Sequence, residues 1–146
     1  RWLAVHPGSG SEEKNWPEAK WTELLQRLMK TTSLNLLIVG GEAERDRLER
    51  LARALPPTRY KIMQGAPLSE LAQWLASCGG FVGHDSGISH LAAAVGVRSL
   101  ILWGQTPENV WRPRGCEMTI LRDSKGLDQL SVEVVLHHLE ELLNRD

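Results

Sequence analysis

Two loops hold most of the groups that could meet a substrate. The first is Gly83-His84-Asp85-Ser86-Gly87-Ile88-Ser89-His90, lying between a short apolar run and a helical pattern. At a helix start, Asp85, Ser86 and Gly87 would expose backbone N–H groups that have no partner inside the helix, which suits an anion. His90, one turn beyond Ser86, could face the same ligand. The same residues equally fit an Asp or Ser N-cap followed by a partly buried histidine. A serine-nucleophile elbow is excluded, because G-x-S-x-G requires serine where Asp85 stands. A metal held by His84, Asp85 and His90 matches no strong zinc spacing.

The second loop is His6-Pro7-Gly8-Ser9-Gly10-Ser11-Glu12-Glu13-Lys14-Asn15-Trp16-Pro17. Gly8 and Gly10 let the backbone approach a ligand, Ser9 and Ser11 offer hydroxyls, and Lys14 offers a mobile positive charge. It reads either as a phosphate cradle ahead of a helix or as a flexible Gly/Ser loop with a solvated lysine. Two familiar phosphate motifs fail. Glu13 stands where the dinucleotide fingerprint needs its third glycine. Lys14 follows Glu13 and precedes Asn15, so the Gly-Lys-Ser/Thr of a P-loop is missing.

Two further segments are quieter. Gly40-Gly41-Glu42-Ala43-Glu44 could set a carboxylate on a ribose, or it could simply place acidic residues at a helix start. Trp103-Gly104-Gln105-Thr106-Pro107 precedes Trp111-Arg112-Pro113, where packing is the more common use of tryptophan than base stacking. His137 and His138 fall on a final helix and are expected at the surface.

The elements that must position these loops alternate. Trp2 to His6 reads as a strand, and Pro17 to Lys30 as a helix with Trp21, Leu24, Leu25, Leu28 and Met29 on one face. Leu36 to Val39 is a strand closed by Gly40-Gly41. A helix with Leu48, Leu51, Ala52 and Leu55 stops at Pro56-Pro57. Arg59 to Met63 is a weaker strand, and Leu68, Leu71, Ala72 and Leu75 mark a third helix. Gly80 to Gly83 is a very short strand, followed by a helix that ends at Gly96. Ser99 to Trp103 and Met118 to Leu121 are the last strands, and a helix starts near Ser131. The pattern predicts an α/β fold, an open doubly wound parallel sheet of about six strands. Ligands of such sheets bind beyond the carboxyl ends of the strands, where all four loops fall.

Composition narrows the function. The chain has 146 residues, 17 Lys and Arg against 18 Asp and Glu, and a formal net charge of -1. No basic excess is present to hold a nucleic-acid backbone. No apolar stretch is long enough to span a bilayer, and no signal peptide opens the chain. Cys78 and Cys116 form no disulfide framework or zinc motif, which fits a reducing cytoplasm. The chain opens on Arg1 in mid-strand, so a fragment of a larger protein is expected.

Taken in order, the loops are more specific than any one of them. His6-Pro7-Gly8-Ser9-Gly10, Lys14-x-Trp16-Pro17 with Trp21, and Gly40-Gly41-x-x-Glu44 come first. Asp85-Ser86-Gly87-x-x-His90-Leu91-Ala92-Ala93-Ala94-x-Gly96, then Gly104-x-Thr106 and Trp111-x-Pro113 follow. Over roughly residues 2 to 115 the sequence resembles glycosyltransferase family 9, the heptosyltransferases of lipopolysaccharide core assembly. The resemblance implies a two-domain GT-B enzyme, of which residues 1–146 would be the Rossmann-like C-terminal, donor-binding half. An N-terminal domain would lie outside this chain and would supply the base that deprotonates the acceptor.

The implied donor is ADP-heptose or a related nucleotide sugar, and the implied acceptor is the lipopolysaccharide core. Ser9 and Lys14 would contact the donor phosphates, and Glu44, or Glu42 two residues away, the ribose. Backbone from Gly65 to Leu68 would frame the adenine. Asp85, Ser86, Gly87 and His90 would bind the sugar and diphosphate. No metal or other cofactor is implied, since helix N-termini and a lysine can stabilise the leaving diphosphate. The implied location is cytoplasmic, with at most peripheral contact at the inner face of the inner membrane. Ser86 replaces the threonine common in the best-known members. Trp103 stands where a smaller apolar residue is expected, so the pocket wall should differ. Two other classes compete: a nucleotide-binding module without transfer activity, and a metal-dependent hydrolase using His84, Asp85 and His90.

Overall fold

The structure, a computed structural model, describes residues 1–8, 11–104 and 117–145. Its strands are β1 (Trp2–Val5), β2 (Asn35–Gly40), β3 (Tyr60–Gln64), β4 (Gly80–His84), β5 (Ser99–Leu102) and β6 (Met118–Leu121). Its helices are α1 (Glu18–Thr31), α2 (Arg45–Arg53), α3 (Leu68–Ser77), α4 (Gly87–Ala94) and α5 (Val132–Leu143). Every strand pairing is parallel, in the order β3-β2-β1-β4-β5-β6. The order reverses between β1 and β4, which is the switch point where ligands of doubly wound sheets bind.

Strand alternation explains the two layers. Leu3, Val5, Leu36, Ile38, Val82, Leu100 and Leu102 face a core built with α1, α2 and α5. Ala4, Leu37, Val39, Phe81, Ile101 and Trp103 face a second core with α3 and α4. Successive side chains on a strand point to opposite faces, so a sheet covered on both sides reads as an unbroken apolar run. Gly83 is required by this packing, since a Cβ there would lie 2.7 Å from the Phe81 ring.

Helix ends follow their chemistry. Ser86 caps α4 by accepting from Ser89 N–H, and Ser131 caps α5 by accepting from Val134 N–H. Gly96, at φ +83°, ends α4 as expected, with Val97 N–H donating to Ala92 O. Cys78 is buried, and burial pushes its thiol up to about 11, so it is no nucleophile. Among the described residues, no helix is long and apolar enough to cross a membrane.

Trp103 is buried in the α3 and α4 core. It lies immediately after the last residue of β5 and keeps that strand's alternation, which turns its side chain inward.

Candidate functional site

The loop after β1 is held from three sides. His84, at the end of β4, is fully buried. Its Nε2 accepts from Trp16 N–H at 2.8 Å, which leaves the proton on Nδ1, facing Gly8 O at 3.3 Å. Burial, and then the neighbouring His6, push its pKa down to about 3, so it stays neutral. Arg47 on α2 donates to Pro7 O and to both oxygens of Glu12. Trp16 Nε1 donates to Leu130 O at 2.9 Å, tying the loop to the segment before α5. Trp16 and His84 also pack edge-on against Trp21.

These anchors decide one competing class. Both nitrogens of His84 are engaged with backbone, so it is not available as a metal ligand. No trio of metal-ligating side chains gathers among the described residues. The metal-dependent hydrolase fits neither observation.

A cleft of about 470 Å³ opens beside this loop, at the carboxyl ends of β1, β4 and β5. Lys14 and Asp85 meet across it, with Lys14 Nζ 3.5 Å from Asp85 Oδ2. Asp85 is 6% exposed, and its Oδ2 accepts no hydrogen bond among the described residues. The Lys14 side chain is 43% exposed, so the ion pair itself holds the two only weakly. A buried carboxylate oxygen with only a mobile cation in front of it is ready for hydrogen bonds from a ligand.

Glu44 folds inward over the same end of the sheet. Its Oε2 accepts from Gly41 N–H at 2.9 Å and lies 3.5 Å from His6 Nε2. Burial works against its charge, but His6 and the Gly41 N–H outweigh that and hold its pKa below the usual carboxylate value. Gly8 and Gly40 make room for it, since a Cβ on either would meet the Glu44 side chain at 3.0 and 2.5 Å. Glu42 instead reaches toward Gly65, the φ +63° residue after β3.

The remaining expected residues are placed as follows. Ser86 Oγ lies 3.3 Å from His6 Nδ1 as well as capping α4. Gly87 opens α4, and a Cβ there would meet nothing within 4 Å. His90 is exposed on α4 and is not among the residues lining the cleft. Leu68 starts α3 after β3 and is 71% exposed. Ser9, Gly10, Thr106, Trp111, Pro113 and Cys116 lie outside the described residues. Lys14, Glu44, Asp85, Ser86 and Gly87 therefore share one end of the sheet, with Leu68 at the carboxyl end of β3. Sequence reasoning missed the far wall of the cleft, where Lys125, Gly126, Leu127 and Asp128 arrive from the loop after β6. Only the glycine in Ser124-Lys125-Gly126 hinted at a shaped turn there, and Gly126 takes φ +117°.

Comparisons with known proteins agree with this fold. Residues 1–135 match the family model for glycosyltransferase family 9 (heptosyltransferase). Lipopolysaccharide heptosyltransferase 1 of Pseudomonas aeruginosa is 39% identical over 93 residues, 64% of this chain and 26% of that protein. The Escherichia coli heptosyltransferase WaaC solved with ADP superposes with a TM-score of 0.88 at 25% identity, over 97% of this chain and 44% of that one. The same enzyme with ADP-2-deoxy-2-fluoro heptose gives a TM-score of 0.83 at 26% identity, over 96% and 42%. The chain thus spans less than half the length of these relatives, and the fold, the ordered loops and the family match lead to one conclusion: it belongs to glycosyltransferase family 9.

Proposed function

We propose that residues 1–146 form the nucleotide-sugar-binding half of an inverting glycosyltransferase that moves heptose from ADP-heptose to a lipopolysaccharide core acceptor. The observation that carries this reading is the Lys14–Asp85 pair, a mobile cation and a buried carboxylate oxygen without a hydrogen bond, on one cleft at the switch point. The diphosphate beside Lys14 has no donor to give such a carboxylate, whereas the sugar attached to it offers hydroxyl donors. The E. coli relative has been solved with both ADP and a fluorinated ADP-heptose, which supports the same ligand class here.

In this reading the adenine lies against Leu68 and the backbone from Gly65, and the ribose meets Glu44. Lys14, Ser9 and the α4 N-terminus around Ser86 and Gly87 receive the diphosphate. Asp85, with His90 nearby, takes sugar hydroxyls. As the sugar–phosphate bond breaks, charge grows on the diphosphate. Lys14, drawn from Asp85 to the phosphate oxygens when the donor binds, stabilises the leaving group without a metal. The base for the acceptor hydroxyl, and most of the acceptor surface, come from outside residues 1–146. The enzyme works in the cytoplasm, in peripheral contact with the membrane that carries its acceptor.

Calorimetric titration with ADP and ADP-heptose tests the assignment, with folding checked by circular dichroism. Lys14→Ala should weaken both ligands, and Asp85→Asn should weaken ADP-heptose more than ADP. Equal losses for both ligands in Asp85→Asn would reduce Asp85 to a support for Lys14 and favour a bare nucleotide-binding module.

A further inference from the structure

We propose that His6 is a positioning residue that joins the ribose and diphosphate subsites through a Glu44–His6–Ser86 proton chain. The inference rests on the donor-binding reading and adds a residue to it. His6 is 2% exposed, at the end of β1. Its Nε2 lies 3.5 Å from Glu44 Oε2 and has no hydrogen-bond partner among the described residues. Its Nδ1 lies 3.3 Å from Ser86 Oγ.

The hydrogen-bond inventory fixes where the protons go. Glu44 is a carboxylate, so a bare Nε2 lone pair facing it would be repelled. Nε2 therefore carries a proton in either charge state of the ring. In the neutral ring Nδ1 is then an acceptor, and Ser86 O–H donates to it. Ser89 Oγ gives its own proton to His84 O, and Ser89 N–H donates to Ser86 Oγ. Ser86 thus has one proton, and with the ring neutral it is turned inward to His6.

A diphosphate at the α4 N-terminus draws that proton outward. Nδ1 would then be buried without a partner unless it takes a proton from solvent and donates to Ser86 Oγ. The resulting imidazolium pairs with Glu44 through Nε2 and sets Ser86 O–H toward phosphate. The other charged or titratable groups around the ring are Arg47 on α2, the neutral His84 of β4, and Asp85 with its Lys14 partner beside Ser86. Donor binding is therefore coupled to proton uptake, and affinity falls as pH rises.

The test is calorimetry with ADP-ribose, whose diphosphate diester has no group titrating near neutrality. Titration in two buffers of different ionisation heat counts the protons. Wild type should take up a proton, up to about one per ligand. His6→Gln, which keeps a group near Glu44, and His6→Asn, which keeps one near Ser86, should lose this uptake. Both should bind about tenfold more weakly, with flat pH profiles. Unchanged proton uptake in both folded variants, or no uptake in wild type despite tight binding, would overturn the role of His6 alone. Failure of wild type to bind either ADP-ribose or ADP would remove the donor-binding reading and this proposal with it.

Discussion

Two cavities of nearly equal size lie at opposite ends of the sheet. The cleft over the carboxyl ends measures about 470 Å³, and a cavity by the amino ends, lined by Arg1, Thr32, Leu34 and Leu143, about 490 Å³. Around the amino-end cavity the cations are matched to backbone carbonyls. Arg1 donates to Leu143 O and Arg98 to Arg145 O, at the negative end of α5. Arg59 gives three N–H groups to Met29 O, Thr32 O and Leu34 O, just after α1. The carboxyl end is different. Asp85 Oδ2 and His6 Nε2 are buried without hydrogen bonds, and Lys125 has no ion pair among the described residues. Volume does not separate a site from a packing defect here; unmatched polar groups do.

The largest expected effect attacks the scaffold of the carboxyl end. A histidine whose pKa falls on folding binds its proton better in the unfolded chain. Stability should therefore be intact above pH 6.5 and lost as pH falls toward about 3, the folded value for His84. The expected slope from this group is about 1.4 kcal/mol per pH unit in that window. Urea unfolding at pH 7, 5.5 and 4.5 should show it, and His84→Gln should flatten the profile while lowering stability at pH 7. Equal slopes in the two proteins would show that the loop is held by something other than His84.

The next effect should appear at the other end and leave binding alone. Arg59→Ala removes three charge-assisted hydrogen bonds and should cost about 2–3 kcal/mol of stability, read by urea unfolding. ADP affinity should not move at temperatures where the variant is folded. A loss of affinity matching the loss of stability would mean that the two ends are not independent. At the carboxyl end the signs exchange. Lys14→Ala should weaken ADP by about 1.5–2 kcal/mol with little change in unfolding. Asp85→Asn, the smallest, should separate ADP-heptose from ADP by about 1 kcal/mol.

Much of this arrangement was legible in the sequence, for reasons of period. The unbroken apolar runs within Leu36 to Val39 and Ser99 to Trp103 announce strands buried on both faces. The spacing of Trp21, Leu24, Leu25 and Leu28 announces α1. Gly96 announces the end of α4. Legible too were the residue types at the strand ends, so Lys14, Glu44, Asp85 and Ser86 could be named before their geometry. What could not be read is long-range pairing. Nothing local says that Arg59 reaches back to carbonyls near residues 29 to 34, or that His84 joins Gly8 to Trp16. The resemblance gives Lys14 the donor phosphates and Asp85, with Ser86, Gly87 and His90, the sugar and diphosphate, and nothing local pairs two residues 71 positions apart. Folding brings them to 3.5 Å, so each is the other's partner until a ligand arrives. Lys125 escaped notice because it lies in a short polar turn whose place on the cleft wall depends on β6.

The most direct test of the contrast between the two ends is to follow backbone amide resonances while ADP is titrated in. The account predicts shifts at Gly8, Ser11 to Lys14, Gly41 to Glu44, Gly65 and Asp85 to Gly87, with Thr31 to Leu34 and Asn144 unmoved. Shifts concentrated around Leu34 and Asn144, or none at saturating ADP, would contradict it.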